Sequence, residues 1–357
     1  MRTVRVAVPV LLAAFACDHP TPPEPGDYTP GRPFNTAIPR QLTFSPGPDL
    51  TPAWLPDGSG IVYQFAATGR PDGDRCLGIL PAAGGSLRAE ICNTGVKSED
   101  STDAYGSPAV SAGGRLLYTR ASDFWRLHNI APAYQSIVVA PLATPLLVDS
   151  VQSLPYAVAP GGTMHYGIDQ VRWSGDSAVI YVAERVIYGT CGRCQDTLRT
   201  GIEVARMDLK ASPGRVTSIP GTDTASSVAL AAGDTIYYTV VGDTRIHRRL
   251  LNSGDTATVW VFDSIARDVQ VRGAKLYAVV GGRVAYQHDV ALGPLQFDSG
   301  GTIHAVNLAT GTDSAMVNEL MLFRHIALSP DGRRIVAEGY SLRTASPVPD
   351  LWLLDAP

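Results

Sequence analysis

Four of the five cysteines stand in two pairs, and their spacing decides which chemistry is open to them. Cys76 and Cys92 flank Ala82-Ala83-Gly84-Gly85 symmetrically about residue 84. On an antiparallel hairpin such residues face each other at about 4.5–5.5 Å, within disulfide reach. The expectation is a disulfide, with two buried free thiols as the alternative. Cys191-Gly192-Arg193-Cys194 has the spacing of a thiol redox pair or of half a zinc site. A redox pair would open a helix in a βαβ unit, and zinc would need a second Cys or His pair. Neither context is present, so a disulfide stapling its own loop is expected.

Other catalytic constellations are missing. There is no Gly-x-Ser-x-Gly, no Gly-rich phosphate loop, and no His followed by Glu. Asp72 and Asp74, and Glu99, Asp100 and Asp103, are acidic clusters that could hold calcium or simply form solvated loops. His128, His165, His247, His288, His304 and His325 are scattered. The sequence implies no cofactor and no resident metal. The net charge is −4 without a run of Lys or Arg, which excludes the electrostatic footprint of nucleic-acid binding.

The elements that must carry these residues are strands. Of 357 residues, 35 are Gly and 27 Pro, while hydrophobic residues make up 45%, so the chain is globular, rich in turns and poor in helix. Thr51-Pro52-Ala53-Trp54, Pro56-Asp57-Gly58 and Ile61-Val62-Tyr63 form a strand, a turn and a strand. In that turn Pro fixes φ, Asp bonds the neighbouring backbone and Gly takes positive φ. The same phrase returns around Val110, Trp173, Leu230, Val271 and Leu328, the positions equivalent to Trp54. The mean interval is about 55 residues, and each interval holds three or four short β-branched and aromatic runs, the pattern of a propeller blade. The last unit ends after its third strand, Leu351-Trp352-Leu353-Leu354, while Arg40-Gln41-Leu42-Thr43-Phe44 precedes the first unit unassigned. Placing that segment in the vacancy closes the ring and removes an open edge. The fold expected is all-β: a six-bladed β-propeller of four-stranded blades over residues 38–357, its last blade closed by the N-terminal strand.

The start of the chain reads as an address. Two arginines within Met1–Arg5 precede an uncharged, mostly apolar run over Val6–Ala16, too short to span a bilayer but right for a signal-peptide core. Ala14-Phe15-Ala16 offers small residues for cleavage, and Cys17 follows. This arrangement resembles the bacterial lipoprotein signal, which implies a lipid on Cys17 as the only membrane attachment; an ordinary secreted protein is the alternative. Residues 1–16 are therefore expected to be a signal peptide and 17–37 a tether. Six prolines among the fourteen residues Pro20–Pro33 suit a semi-rigid spacer of about 40 Å. Removing Cys17 leaves an even number of cysteines, as expected in an oxidising compartment.

Leu55-Pro56-Asp57-Gly58 and Ser329-Pro330-Asp331-Gly332, with Gln41-Leu42-Thr43 ahead of the first unit, resemble the repeat of TolB-type periplasmic propellers and related envelope lipoproteins. The resemblance implies non-catalytic scaffolding or ligand binding in the cell envelope. Similar propellers occur beside hydrolase domains and in polysaccharide lyases, so a metal-dependent lyase or hydrolase using channel histidines is the alternative. A protein or glycan partner and a monomeric state are expected.

One end of the blades is the expected binding face. The segments Asn93–Gly106, Arg120–Ser136, Ser153–Asp169, Arg185–Gly201 and Gly281–Gly301 all connect strands at that end. They carry Trp125, Tyr134, Tyr156, His165, Tyr166, Tyr188 and Tyr286, which suit recognition. At the same end the inner strands begin with Leu50-Thr51, Gly106-Ser107, Asp169-Gln170, Ser226-Ser227, Arg267-Asp268 and Arg324-His325. A polar channel mouth is expected there, with Asp169, Gln170, Arg267, Asp268, Arg324 and His325 binding ligand and the two arginines gripping a carboxylate or phosphate. Solvated strand starts are the alternative.

Overall fold

A computed structural model describes residues 39–67, 74–92, 101–126, 129–130, 134–145, 148, 150–153, 157–159, 162–175, 177–189, 197–210, 215–281, 284–289, 293–298, 300–316, 321–341 and 348–357. The expected signal peptide and the whole of the expected tether, Cys17 included, lie outside the described residues, as do Cys191, Cys194, His128, Asp72, Glu99 and Asp100.

The chain begins with β1 (Arg40–Gln41) and then builds six antiparallel meanders. Blade 1 holds β2 (Asp49–Trp54), β3 (Gly60–Phe65), β4 (Cys76–Pro81) and β5 (Ala89–Ile91). Blade 2 holds β6 (Ser101–Val110), β7 (Arg115–Arg126), with the short β8 (Asn129–Ile130) on its end, β9 (Tyr134–Pro141) and β10 (Ser150–Ser153). Blade 3 adds the short β11 (Ala157–Ala159) to β12 (Gly162–Ser174), β13 (Ala178–Gly189), β14 (Thr197–Asp208) and β15 (Arg215–Ser218). Blade 4 holds β16 (Ala225–Ala231), β17 (Thr235–Val240), β18 (Arg245–Leu250) and β19 (Thr256–Val261). Blade 5 holds β20 (Ala266–Arg272) and β21 (Lys275–Val280), an inserted hairpin of β22 (Val284–Asp289) and β23 (Gly293–Asp298), then β24 (Thr302–Asn307) and β25 (Thr312–Met316). Blade 6 holds β26 (Met321–Leu328), β27 (Arg334–Ser341) and β28 (Asp350–Asp355), and β1 pairs antiparallel with β28 as its fourth strand. Successive inner strands pack on one another around the ring, and β26 returns to β2. The protein is a six-bladed β-propeller, without helices among the described residues.

Both faces of the blades are buried, and the period-2 alternation divides each strand between two seams. In β3, Ile61, Tyr63 and Phe65 pack toward blade 6 with Trp54, Val336 and Leu353. Val62 packs the other way, with Leu116, Tyr118 and Val138 of blade 2. In β13, Val179 and Tyr181 join blade 2, while Ile180 and Val182 join Val228 and Tyr238 of blade 4. Tyr277 and Val279 meet Phe323 and Trp352 between blades 5 and 6, and Ala229 and Tyr237 meet Val269 and Leu276 between blades 4 and 5. Burying each such side chain contributes about 1.5–3 kcal/mol. This is why the middle strands read as unbroken apolar runs.

The repeated tryptophan clips one blade to the one before it. Trp54 Nε1 donates to Ala327 O at 2.9 Å, and Trp173 Nε1 donates to Ala109 O at 3.2 Å. In both seams an arginine from the start of the preceding blade's second strand covers the ring, Arg334 over Trp54 at 5.0 Å and Arg115 over Trp173 at 5.3 Å. The turns behave as their residues dictate. Asp57 Oδ1 accepts Ser59 N, Asp331 Oδ1 accepts Arg333 N, and Gly58 and Gly332 sit at φ 71° and 75°.

Closure is tighter and shorter than the expected strand Arg40–Phe44. Only Arg40 and Gln41 pair in register, with Leu353 and Trp352. Leu42 N still donates to Leu351 O at 2.7 Å, and the Thr43 hydroxyl then stands in for the ladder by accepting Leu351 N at 2.9 Å. Leu42 is buried in the seam between blades 6 and 1, whereas Phe44 is 59% exposed.

Cys76 and Cys92 are joined by a disulfide with a Cα–Cα distance of 4.7 Å. The register Leu77↔Ile91 next to it is the one the symmetric spacing implies. The bond closes a loop with a sequence separation of 16. In urea unfolding, the double variant Cys76→Ala/Cys92→Ala should lose about 3 kcal/mol. A loss under about 0.5 kcal/mol would show that the hairpin needs no staple.

Candidate functional site: the channel mouth

Each inner strand slips register near its start. The shifts fall between Leu50 and Ala53, Gly106 and Ala109, Asp169 and Arg172, Ala225 and Ser227, Ala266 and Asp268, and Phe323 and Ile326. A bulge leaves backbone groups without ladder partners and re-aims its side chains. At the equivalent positions Thr51, Ser107 and Gln170, φ is 46°, 42° and 48°, a left-handed conformation that costs on the order of 1–3 kcal/mol for a non-Gly residue. Three blades hold the same strained bend at the same place, where the inner strands converge.

Polar side chains of neighbouring blades take up the freed backbone groups. Gln170 Oε1 accepts Val228 N at 3.2 Å across the seam between blades 3 and 4. Asp268 Oδ2 accepts Ile326 N at 2.8 Å across the seam between blades 5 and 6, while Oδ1 accepts Val269 N at 2.8 Å. Glu338 Oε2 accepts Thr51 N at 3.1 Å between blades 6 and 1. The Thr239 hydroxyl donates to Arg267 O at 3.0 Å between blades 4 and 5, and lies 2.8 Å from the hydroxyls of both Ser226 and Ser227.

The residues expected to bind ligand therefore divide. Arg267 Nε donates to Gly281 O at 2.6 Å. Arg324 donates to the Tyr340 hydroxyl at 2.9 Å and pairs with Glu338 at 3.3 Å. Both arginines brace the end of the adjacent strand. Gln170 and Asp268 are buried seam ties. His325 lines a shallow cleft with Thr51, Pro52, Ser107, Pro108, Gln170, Arg172 and Ile326, about 270 Å³ including the space open to solvent. The cleft thus draws equivalent positions from blades 1, 2, 3 and 6. The Asp169 backbone pairs with Val182, and its side chain lies outside the described residues.

Arg172 is the cleft residue the repeat comparison passes over. Its position is alanine in four blades (Ala53, Ala109, Ala229 and Ala327) and Gln270 in a fifth, so a guanidinium there breaks the pattern. Burial pushes the Asp268 carboxyl above its ordinary value, while His325 and Arg172 and two backbone N–H groups pull it back. His325 Nδ1 stands 4.0 Å from Asp268 Oδ2. The mouth therefore places the Arg172 guanidinium, which also donates to Val171 O at 3.0 Å, and the His325 imidazole beside a buried carboxyl, with Thr51 and Ser107 alongside. Such a set suits a small acidic group.

Besides His325, the histidines whose side chains are described are His247 and His304, both on third strands. His247 stacks on Tyr238 and stands 3.4 Å from Asp243, and His304 contacts Asp313 at 2.9 Å. Among the described residues no three His, Cys, Asp or Glu side chains converge as metal ligands. Asp74 is 2% exposed, so it is not part of a solvated acidic loop.

The long connecting segments are largely hairpin extensions, not loops. Ser101–Gly106 pairs with Thr119–Phe124, Ser122 pairs with Tyr134, and Gly162–Asp169 pairs with Val182–Gly189. With β22 and β23, these extensions continue from the starts of first strands, the ends of second strands and the starts of third strands. In an antiparallel blade all of those lie at the mouth end.

The class that the structure shows is that of the six-bladed β-propellers. No protein-family model matches the sequence, and no curated relative does. Among solved structures, a luciferin-regenerating enzyme is 9% identical with a TM-score of 0.53, the alignment covering 90% of this chain and 95% of that one. The PQQ-bound aldose sugar dehydrogenase from Streptomyces coelicolor is 12% identical with a TM-score of 0.51, covering 88% and 96%. TolB from Acinetobacter baumannii is 12% identical with a TM-score of 0.48, covering 84% of this chain and 64% of that one. At such identities the first two likenesses show a shared fold and nothing narrower.

Proposed function

We propose that this protein is a non-catalytic lipoprotein of the bacterial cell envelope. In this reading it is held by a lipid on Cys17 and binds a protein or glycan partner through the mouth end of its propeller. The observation that carries the reading is the cleft built from equivalent bulge positions of four blades, with Arg172 and His325 over it. Strained backbone repeated at one locus is a feature of sites that recognise something. The hairpin extensions rise from the same end and would widen the contact. The residues around Cys17 and the Pro-Asp-Gly turns support the envelope address.

The partner is expected to place an acidic group, such as a carboxylate, in the cleft. Photo-crosslinking from Ser107 in intact envelopes should trap a defined partner. Arg172→Ala with His325→Ala should weaken that capture at least tenfold, while Asp313→Ala, far from the mouth, should leave it unchanged. Equal capture by all three proteins would sink the reading. Cys17→Ser should release the protein from membranes.

The Asp268–His325 pair favours a second reading, a polysaccharide lyase or hydrolase. Metal analysis combined with release of unsaturated ends from acidic polysaccharides separates the two. Bound metal with turnover abolished by His325→Ala would replace the binding reading.

A further inference from the structure

Where the closing strand meets the first and last blades, three oxygens make the same demand. Asp49 Oδ1, Asp350 Oδ1 and Gln41 Oε1 are buried, and none has a hydrogen-bond donor among the described residues. The remaining atoms of these side chains are engaged, which fixes their orientation. Gln41 Nε2 donates to Thr43 O and to Asp350 Oδ2, each at 2.9 Å, so the amide cannot turn over to offer a donor instead. Asp49 Oδ2 accepts the Ser45 hydroxyl at 2.7 Å, and Asp49 is 0% exposed. The Thr43 hydroxyl reaches both carboxyls, and Asp49 acts on Asp350 through space, so the two share one locus. Asp49 N donates to Pro349 O at 2.9 Å, which holds the two chain segments side by side. The Tyr63 hydroxyl faces the same locus, its pKa raised by burial and then by Asp49, Glu90 and Asp350.

Donor counting decides what such a place needs. Three buried acceptors and two carboxylates are costly without compensation. A shared proton would join two of the oxygens and leave the third unsatisfied. A single cation can serve all three and cancel the charge. The ligands are oxygen alone, the preference of hard ions such as calcium and not of zinc or copper. We infer that Asp49, Asp350 and Gln41 form a calcium-class cation site that fastens the closing strand to the first and last blades. Asp350 is only partly buried and gives the ion its entry and its water ligands.

Calcium chloride titrated into chelator-treated protein at pH 7.5 should bind one ion per chain and raise the melting temperature by several degrees. Asp350→Asn should weaken binding at least tenfold and abolish the rise. Gln41→Ala, the milder change, should weaken binding several-fold in a folded protein. Terbium should occupy the same site and luminesce on tyrosine excitation, less so in Tyr63→Phe. No binding at millimolar calcium, or a melting shift that persists in Asp350→Asn, overturns the inference.

Discussion

Removing residues 1–44 is expected to abolish the cooperative unfolding transition, whereas removing 1–37 should leave the melting temperature unchanged. The shorter deletion spares every described contact. The longer one removes β1, exposes the hydrogen-bonding edge of β28, and takes Leu42 out of the seam between blades 6 and 1. It also leaves the buried Leu351 N–H without the Thr43 hydroxyl. Losing the leucine costs about 2–3 kcal/mol, and each stranded backbone group about 1–3 kcal/mol more. The total approaches the 5–15 kcal/mol that holds a typical domain together, and the bare edge invites aggregation. Calorimetry and size-exclusion chromatography of the two truncations test this. If the 45–357 chain melts within a few degrees of the full one, the closing strand is dispensable.

The second large effect is expected at Asp268. Its two carboxylate oxygens serve two backbone N–H groups, one in each of two blades, at 2.8 Å each. Asp268→Ala strands both donors at a site 2% exposed and leaves His325 and Arg172 without their counter-charge. The loss should be about 3–5 kcal/mol in urea unfolding. Asp268→Asn keeps one acceptor and should lose about half as much. A change under about 1 kcal/mol in the alanine variant would mean that the two seam bonds are not what joins blades 5 and 6.

The fold was readable because its signals are local. Pro-Asp-Gly at residues 56–58 and 330–332 is turn chemistry, and the β-branched and aromatic run Ile61-Val62-Tyr63 needs no partner to be seen. Closure by the segment Arg40–Phe44 followed from counting strands, although only Arg40 and Gln41 pair, and Cys76–Cys92 followed from symmetry about a turn. The site was readable by register only. That six pairs, all but Leu50 polar or Gly, begin the inner strands is plain in the sequence. That Gln170 is held by Val228, or Asp268 by Ile326, each 58 positions away, depends on bulges that no local pattern announces. Glu338 and Thr239 reach the mouth from second strands inside apolar runs, where a polar residue reads as noise. Arg267 and Arg324 drew notice for their charge, yet their guanidinium groups brace strand ends, while Arg172, set in an alanine position, lines the cleft. The segments around Phe124 and Val186 read in the sequence as connections between strands, whereas their backbones extend the hairpins.

The pairing of β1 with β28 also gives the molecule a polarity. Third strands run away from the mouth, so β28 carries the chain from Asp350 at the rim to Asp355 at the opposite end. There Lys275 and Tyr277, at the start of a second strand, bond to Pro357 O. Because β1 runs antiparallel, with Arg40 opposite Leu353, the chain enters the propeller from that same far end. A surface that holds the protein by residues ahead of Arg40 would therefore carry it like a cup on a stem, with the cleft turned outward. On the proposed reading, a surface attached ahead of Arg40 and a partner at Arg172 and His325 would sit at opposite ends of the propeller and would not compete for one face.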